Sequence, residues 1–396
     1  MRKRFLPHPL TTYDSELTTL KRLTTLPRLL AVTLCLLAGS NAPAQTGADS
    51  TGSDGARLTF GAFVDVYYLY DISAPPDHER VPFLFSHSRH NEIAVNNAVL
   101  SAAYAAGRVR ANVALHTGTY VQRNYAAERL NGSELLSMIY QVNVGVQLAK
   151  GLWLDAGIFP SHIGYESALS IDNPTLTRSL MAENTPYYEA GAKLGWEVND
   201  KLTVTGLVLN GWQRIVETDA SKAVGTQVQY NPAKGVLLNW STFAGREGGN
   251  RYFSNVYGAF DFTAGVTVVA AFDAGWQQAT TAAGRQVYYH WFNPNLIVRY
   301  KPLEKMALAG RLEYYHDPNN LIIPATDAGN NTLVTGFQTW SPSVNLDYFP
   351  TQKVALRLEG RLFRAHRPVF VRHGDPNGPA TTRNNGAVAT SVAFKF

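Results

Sequence analysis

From Leu58 to the C-terminus the chain alternates apolar and polar positions with a period of two. Over 138–149, Met138, Tyr140, Val142, Val144, Val146 and Leu148 share one face, and Ile139, Gln141, Asn143, Gly145, Gln147 and Ala149 share the other. Side chains two residues apart lie on the same side of an extended backbone, so this is the signature of a strand with unlike faces. The pattern recurs over 108–122, 187–198, 266–277, 306–315 and 353–364. There Val113, Leu194, Val268, Leu308 and Leu356 oppose Arg108 and Arg110, Glu189 and Lys193, Asp273, Arg311 and Glu313, and Arg357, Glu359 and Arg361. Asp65 and Asp155 occupy matching polar positions.

The connections alternate as well. Short turns are predicted at 105–107, 150–151, 199–200, 231–235, 263–265, 301–304 and 350–352. Longer polar loops are predicted near 71–89, 123–137, 166–186, 215–223, 245–252, 278–286, 317–335 and 366–385. Fifteen connections imply sixteen strands; the stretches 90–104, 203–213 and 253–262 alternate poorly, which leaves twelve or fourteen open. Strands of about 10 residues joined by alternating short and long connections suit a barrel that crosses a membrane. An open sheet cannot sit in lipid, because its edge amides would lack partners. The expected fold is all-β: a transmembrane antiparallel up-and-down barrel with apolar faces outward, a polar lumen and both termini in the periplasm.

Composition sharpens this. The 396 residues are 45% hydrophobic and 16% charged, with a formal net charge of +5 and one cysteine. Charge is low for a soluble domain, and a single Cys excludes an internal disulfide. The one notable apolar run, 29–39, is too short to span a bilayer as a helix. It follows Arg2, Lys3, Arg4, Lys21, Arg22 and Arg28 and precedes Ala42-Pro43-Ala44, the layout of an export signal cleaved after Ala44. Leu34 before Cys35 departs from a lipidation signal. Residues 1–44 hold six Lys/Arg and two Asp/Glu and so supply +4 of the +5. The exported chain is nearly neutral, which removes support for a nucleic-acid partner. The reading is a signal peptide at 1–44, a flexible periplasmic leader at 45–57 and a barrel at 58–396.

Aromatic residues gather near predicted strand ends: Tyr67, Tyr68 and Tyr70; Tyr187 and Tyr188; Tyr288, Tyr289 and Trp291; Tyr314 and Tyr315; Tyr348 and Phe349. Rings with a polar handle favour headgroup depth, so these are expected to form interfacial girdles. The last strand ends with Phe394 and Phe396 in phase, which resembles the C-terminal signal read by the outer-membrane barrel-insertion machinery. The stretches 152–167 (LWLDAGIFPSHIGYES), 176–189 (LTRSLMAENTPYYE), 210–214 (NGWQR) and 89–92 (RHNE) resemble the OmpL-like β-barrel porin family. The similarity runs from about Phe60 to the end. It implies an outer-membrane barrel acting as a porin, with lipid and small polar solutes as partners; a homo-oligomer is compatible with it.

The expected activity is passive diffusion through a water-filled lumen. Sixteen strands leave an aqueous interior, and side chains at the narrowest point set selectivity. In general porins a long early loop folds inward. If 166–186 does so here, Asp172, Arg178 and Glu183 reach the constriction, with Arg110, Glu189, Arg311, Glu313, Arg357, Glu359 and Arg361 on the wall. Mixed signs predict weak ion selectivity. A closed barrel acting through its outer loops is the alternative. An enzyme is disfavoured: there is no G-x-S-x-G, and adjacent strand residues, as in Ser86-His87-Ser88 or Ser161-His162, point to opposite faces. No cofactor is expected. His87, His90 and Glu92 read as loop polar groups rather than metal ligands, and Asp375-Pro376-Asn377-Gly378 as a turn, because it lacks the remaining oxygens of a calcium loop.

Overall fold

The computed structural model describes residues 50–51, 55–131, 134–217, 220–262, 265–327, 333–371 and 380–396. The expected signal peptide with Cys35 and Ala44, most of the expected leader and the turn expected at 375–378 lie outside them.

Sixteen antiparallel strands close on themselves. They are β1 Arg57–Asp71, β2 Ile93–Ala106, β3 Val109–Thr117, β4 Ile139–Ala149, β5 Leu152–Pro160, β6 Tyr188–Asn199, β7 Leu202–Leu209, β8 Ala223–Tyr230, β9 Val236–Arg246, β10 Asn250–Phe262, β11 Val266–Thr280, β12 Gln286–Leu303, β13 Met306–Asp317, β14 Phe337–Thr351, β15 Val354–Ala365 and β16 Asn384–Lys395. Each pairs with its sequence neighbours, and β1 closes on β16 from Phe63↔Lys395 to Asp71↔Ala387. Phe396 seals this seam: its N–H donates to the Ala62 carbonyl at 3.0 Å, and its own carbonyl accepts from Ala62 at 3.2 Å. Ser50–Thr51 pairs with the start of β1.

The face assignment is inverted relative to a soluble protein. Val144, Leu356, Val344 and Leu362 are exposed, while Asp65, Asp155, Asn255, Asn345 and Glu359 are buried inward. Strands β2, β7 and β10, weak in the sequence pattern, are present. In β2 the alternation is broken by a bulge: the register slips between Asp65 and Val66, and Asn96 and Asn97 are both fully buried. A second bulge, between Ala114 and Leu115, turns Tyr140 inward against Phe63 and Val99, so the sequence assignment of Tyr140 to the lipid face is corrected. The connections near 245–252 and 278–286 are tight hairpins because β9 to β12 extend further than the pattern indicated.

Two aromatic belts ring the exterior. Near the loop end stand Tyr70, Tyr252, Trp276, Tyr288 and Trp340; near the turn end stand Trp196, Tyr230, Tyr300, Tyr348 and Phe394. On β12, Tyr288 and Tyr300 are roughly 30 Å apart along the barrel axis for a tilted strand, close to the apolar thickness of a bilayer. Tyr67, Tyr187, Tyr188, Trp291 and Tyr315, expected in the girdles, are instead buried. Their depth matches, but their faces do not.

Candidate functional site

The interior is organised by the long connection between β5 and β6. Pro160 ends β5, and the Ser161 hydroxyl accepts from Ile163 N–H at 3.1 Å to start a turn. A single 3-10 turn, Ser170–Asp172, and a short helix α1, Leu180–Glu183, shape the rest, with Ser179 capping α1 by accepting from Ala182 N–H. Such a cap satisfies an otherwise orphan helix amide. At the roots of this connection, Gly157 and Gly191 face each other across the ladder with φ of 132° and 157°. A Cβ there would stand 2.2 and 2.1 Å from the carbonyl oxygens of Val142 and Val208, so only glycine fits.

The loop crosses the barrel to the far wall. Leu176 N–H donates to Asn345 at 3.0 Å, Thr177 N–H to Glu359 at 2.5 Å and Leu180 N–H to Glu313 at 2.7 Å. In return its carbonyls accept from the wall: Thr177 from Arg311 at 2.5 Å, Arg178 from Arg361 at 2.7 Å, and Ser170 and Asn173 from Arg357 at 2.5 and 3.0 Å. Alternating guanidinium and carboxylate groups thus match the donors and acceptors of an irregular backbone. The charges also neutralise one another: Arg311–Glu359 at 3.1 Å, Arg361–Glu313 at 2.8 Å and Arg357–Asp347 at 2.7 Å. Buried charge without such pairing is costly. Within the loop, Glu166 accepts from Ser179 N–H at 3.0 Å, and burial raises its carboxyl pKa although Arg311 opposes the shift.

The sequence-predicted residues therefore divide. Asp172 is half-exposed and pairs with Lys395 at 2.6 Å; Arg110 is half-exposed and pairs bidentately with Asp155 at 2.7 and 2.6 Å. Arg178, Glu183, Glu189, Arg311, Glu313, Arg357, Glu359 and Arg361 are all on the inner side but buried, held at the contact between loops and wall rather than facing open water. Arg108 lies in the β2–β3 turn and caps the carbonyls of Gln147 and Leu148, away from the lumen. Arg178 is clasped between the rings of Tyr120 and Tyr187 at 4.3 and 4.1 Å, a double cation–π contact that sequence gave no means of seeing.

A second loop, 72–92, also folds inward, and sequence reading missed it. Asp65 anchors its base, accepting from His87 Nε2 at 3.0 Å and from Asn96 at 3.1 Å. It also accepts from Ser170 at 2.7 Å, so one carboxylate ties both loops. Arg123, in the helix Thr119–Asn124, donates to the carbonyls of Arg80, Val81 and Leu84. Glu183 accepts from Phe85 N–H at 2.8 Å and from Ser86 N–H and hydroxyl at 3.2 and 2.5 Å. Held on both sides, Phe83 and Leu84 join Phe159, Leu180, Phe243, Phe253, Trp291, Phe337 and Phe363 in one apolar cluster inside the loop end of the barrel. His90 accepts from Asp71 N–H, and Glu92 pairs with Arg89 at 2.8 Å; both are engaged in structural bonds.

Ser161 and His162 come together, contrary to the strand argument, because they sit in the loop. Both address Glu189, Ser161 at 3.1 Å and His162 Nδ1 at 2.8 Å, while His162 Nε2 lies 2.8 Å from the Thr242 carbonyl. Two acceptors flanking one imidazole require both ring nitrogens to carry protons. Burial opposes the charged ring, but the Glu189 carboxylate and the two hydrogen bonds outweigh it and raise the pKa above the usual value. Toward the turn end space remains. One cavity of ≈ 350 Å³ is lined by Arg110, Trp153, Phe159, Lys193, Gln227 and Tyr257. Another of ≈ 840 Å³ lies among Asp172, Arg299, Lys301, Lys305 and Lys395.

Comparison with solved structures returns outer-membrane channels and porins. The outer membrane channel DcaP of Acinetobacter baumannii aligns with TM-score 0.57 at 10% identity, covering 88% of this chain and 100% of that one. OmpT of Vibrio cholerae, in its trimer form, gives 0.55 at 8% over 86% and 99%. An anion-selective porin from Comamonas acidovorans gives 0.54 at 7% over 86% and 100%. At these identities the likeness is one of fold. No curated protein matches in sequence. A family model described as "Putative beta-barrel porin-2, OmpL-like" matches residues 57–396. The closed inverted barrel, its inward loop and this match agree: the chain belongs to the OmpL-like β-barrel porin-2 family and is an outer-membrane barrel.

Proposed function

We propose that the barrel conducts small polar solutes passively across the outer membrane, with its termini and short turns on the periplasmic side and its long loops outside. The observation that carries this reading is the β5–β6 loop bonded across the interior. It narrows the lumen at mid-height and leaves cavities toward the turn end. The buried wall charges cancel in pairs, so they exert little net field, and selectivity among simple inorganic ions is weak. The trimer form of OmpT favours self-association of this chain as well. The test is conductance in a planar bilayer together with swelling of proteoliposomes in arabinose; discrete steps and swelling support the channel.

The apolar cluster at the loop end favours a second reading, a barrel that rests closed. Apolar constrictions gate by excluding water. Wild-type protein without conductance, and steps appearing when Phe83 and Leu84 are both replaced by Ala, select this reading.

A further inference from the structure

We infer that the ≈ 350 Å³ cavity against β3, β5–β8 and β10 is a binding subsite for a small organic monocarboxylate with an apolar or aromatic body. As a solute subsite it deepens the channel reading and rests on it.

The charges decide the sign. Most inward-facing cations of the wall already have a partner. Arg110 is bound to Asp155, Arg299 lies 3.5 Å from Asp347, and Arg311, Arg357 and Arg361 are paired as above. His162 is matched by Glu189. Lys193 differs: among the described residues its ammonium has no carboxylate within ion-pair distance and no hydrogen-bond acceptor, and it rests 4.6 Å over the Phe159 ring. An ammonium held against an aromatic face, beside Arg110–Asp155 and His162–Glu189 pairs that are already closed, has unused donors. A carboxylate supplies what it lacks.

The remaining lining fits the rest of such a molecule. Trp153 and Phe159 offer aromatic faces, and Arg110 lies 4.2 Å over the Trp153 ring, which fixes that wall. Thr203, Thr205 and Gln229 add neutral polar groups. Glu197 is the one further carboxylate, four residues along β6 from Lys193 and thus roughly 13 Å away. It disfavours a second negative charge at the far end, hence a monoanion. The space itself exists because Gly195 faces inward: a Cβ there would meet only the Thr205 hydroxyl, at 3.7 Å. A large side chain at 195 fills the cavity without disturbing the backbone or Lys193.

The experiment uses the detergent-folded full chain and benzoate, titrated by calorimetry, with heat-modifiable migration confirming that each variant is a folded barrel. Wild type binds benzoate saturably. Lys193→Met and Gly195→Leu each weaken binding tenfold or more, Lys193→Arg retains it, and a dicarboxylate of similar length binds more weakly. Absence of saturable binding by wild type, or equal binding by Lys193→Met, overturns the subsite. Arabinose swelling is measured in parallel: benzoate binding without swelling leaves the subsite standing and refutes the channel, while swelling without Lys193-dependent binding does the reverse.

Discussion

Replacing Glu359 by Leu isolates what holds the crossing loop in place. Glu359 accepts from Thr177 N–H at 2.5 Å and faces Arg311 at 3.1 Å, both buried. The substitution leaves the Thr177 amide without an acceptor, costing about 1–3 kcal/mol. It also strips Arg311 of its nearest carboxylate; Glu313 at 3.6 Å and Glu166 at 3.8 Å remain. Breaking a buried pair by removing one member costs about 3–5 kcal/mol in total. The ladder of the barrel is untouched, so the loop undocks while the barrel persists. Trypsin reads this directly, because Arg178 is the sole Lys or Arg between 161 and 187 and is buried when the loop is docked. Wild type resists cleavage after Arg178, Glu359→Leu is cut there, and its conductance rises. Arg311→Met combined with Glu359→Leu restores part of the protection, since the net charge of the cluster returns to its wild-type value while the Thr177 amide still lacks its acceptor. A Glu359→Leu protein that resists trypsin and conducts like wild type refutes the reasoning.

Other outcomes follow from the same geometry. Arg at Val144 or Leu356, both facing lipid, destabilises the barrel by about 2–4 kcal/mol near the midplane, whereas Gln141→Arg on the inner face is tolerated; urea titration of heat-modifiable migration in vesicles separates them. His162 has a raised pKa, so its contribution to loop docking is complete below the unfolded value of about 6.5 and is lost as pH rises through the higher folded value. Trypsin sensitivity at Arg178 therefore increases from pH 6 toward alkaline pH, and His162→Gln abolishes this pH dependence. Phe83→Ala removes a buried ring from the loop-end cluster, costing about 3–5 kcal/mol, and raises conductance; unchanged conductance and protection of the 72–92 loop contradict its role.

The fold was legible because a membrane strand exposes one face to lipid and the other to the interior, and a period of two survives in the residues themselves. Strand number followed from counting connections. At Asn96 the alternation lapsed and at Tyr140 it held but misled, because in both places a bulge had shifted the phase, which no local pattern announces. The candidate site was half legible. The inward side of Arg311, Glu313, Arg357, Glu359 and Arg361 came from strand parity. That these charges grip a loop instead of lining open water depends on partners more than a hundred residues away. Tyr187 and Trp291 misled for a related reason: an aromatic near a strand end suits a girdle or a plugged lumen equally well, and only parity against the final register decides.

The contacts that hold the crossing loop join residues 133 to 187 positions apart in the chain, as in Leu180 with Glu313, Thr177 with Glu359 and Ser170 with Arg357. Long-range closures of this kind form after local hairpins, and these have no partner until β13 to β15 stand beside one another. The order of assembly is thereby set. The wall is completed first, and the nascent barrel passes through a stage in which its bore is unobstructed. The restriction arrives last, as the loop finds the Arg and Glu rows of strands made at the end of translation. A chain whose loop cannot dock, as with Glu359→Leu, is therefore held at that stage, a complete wall around an unobstructed bore.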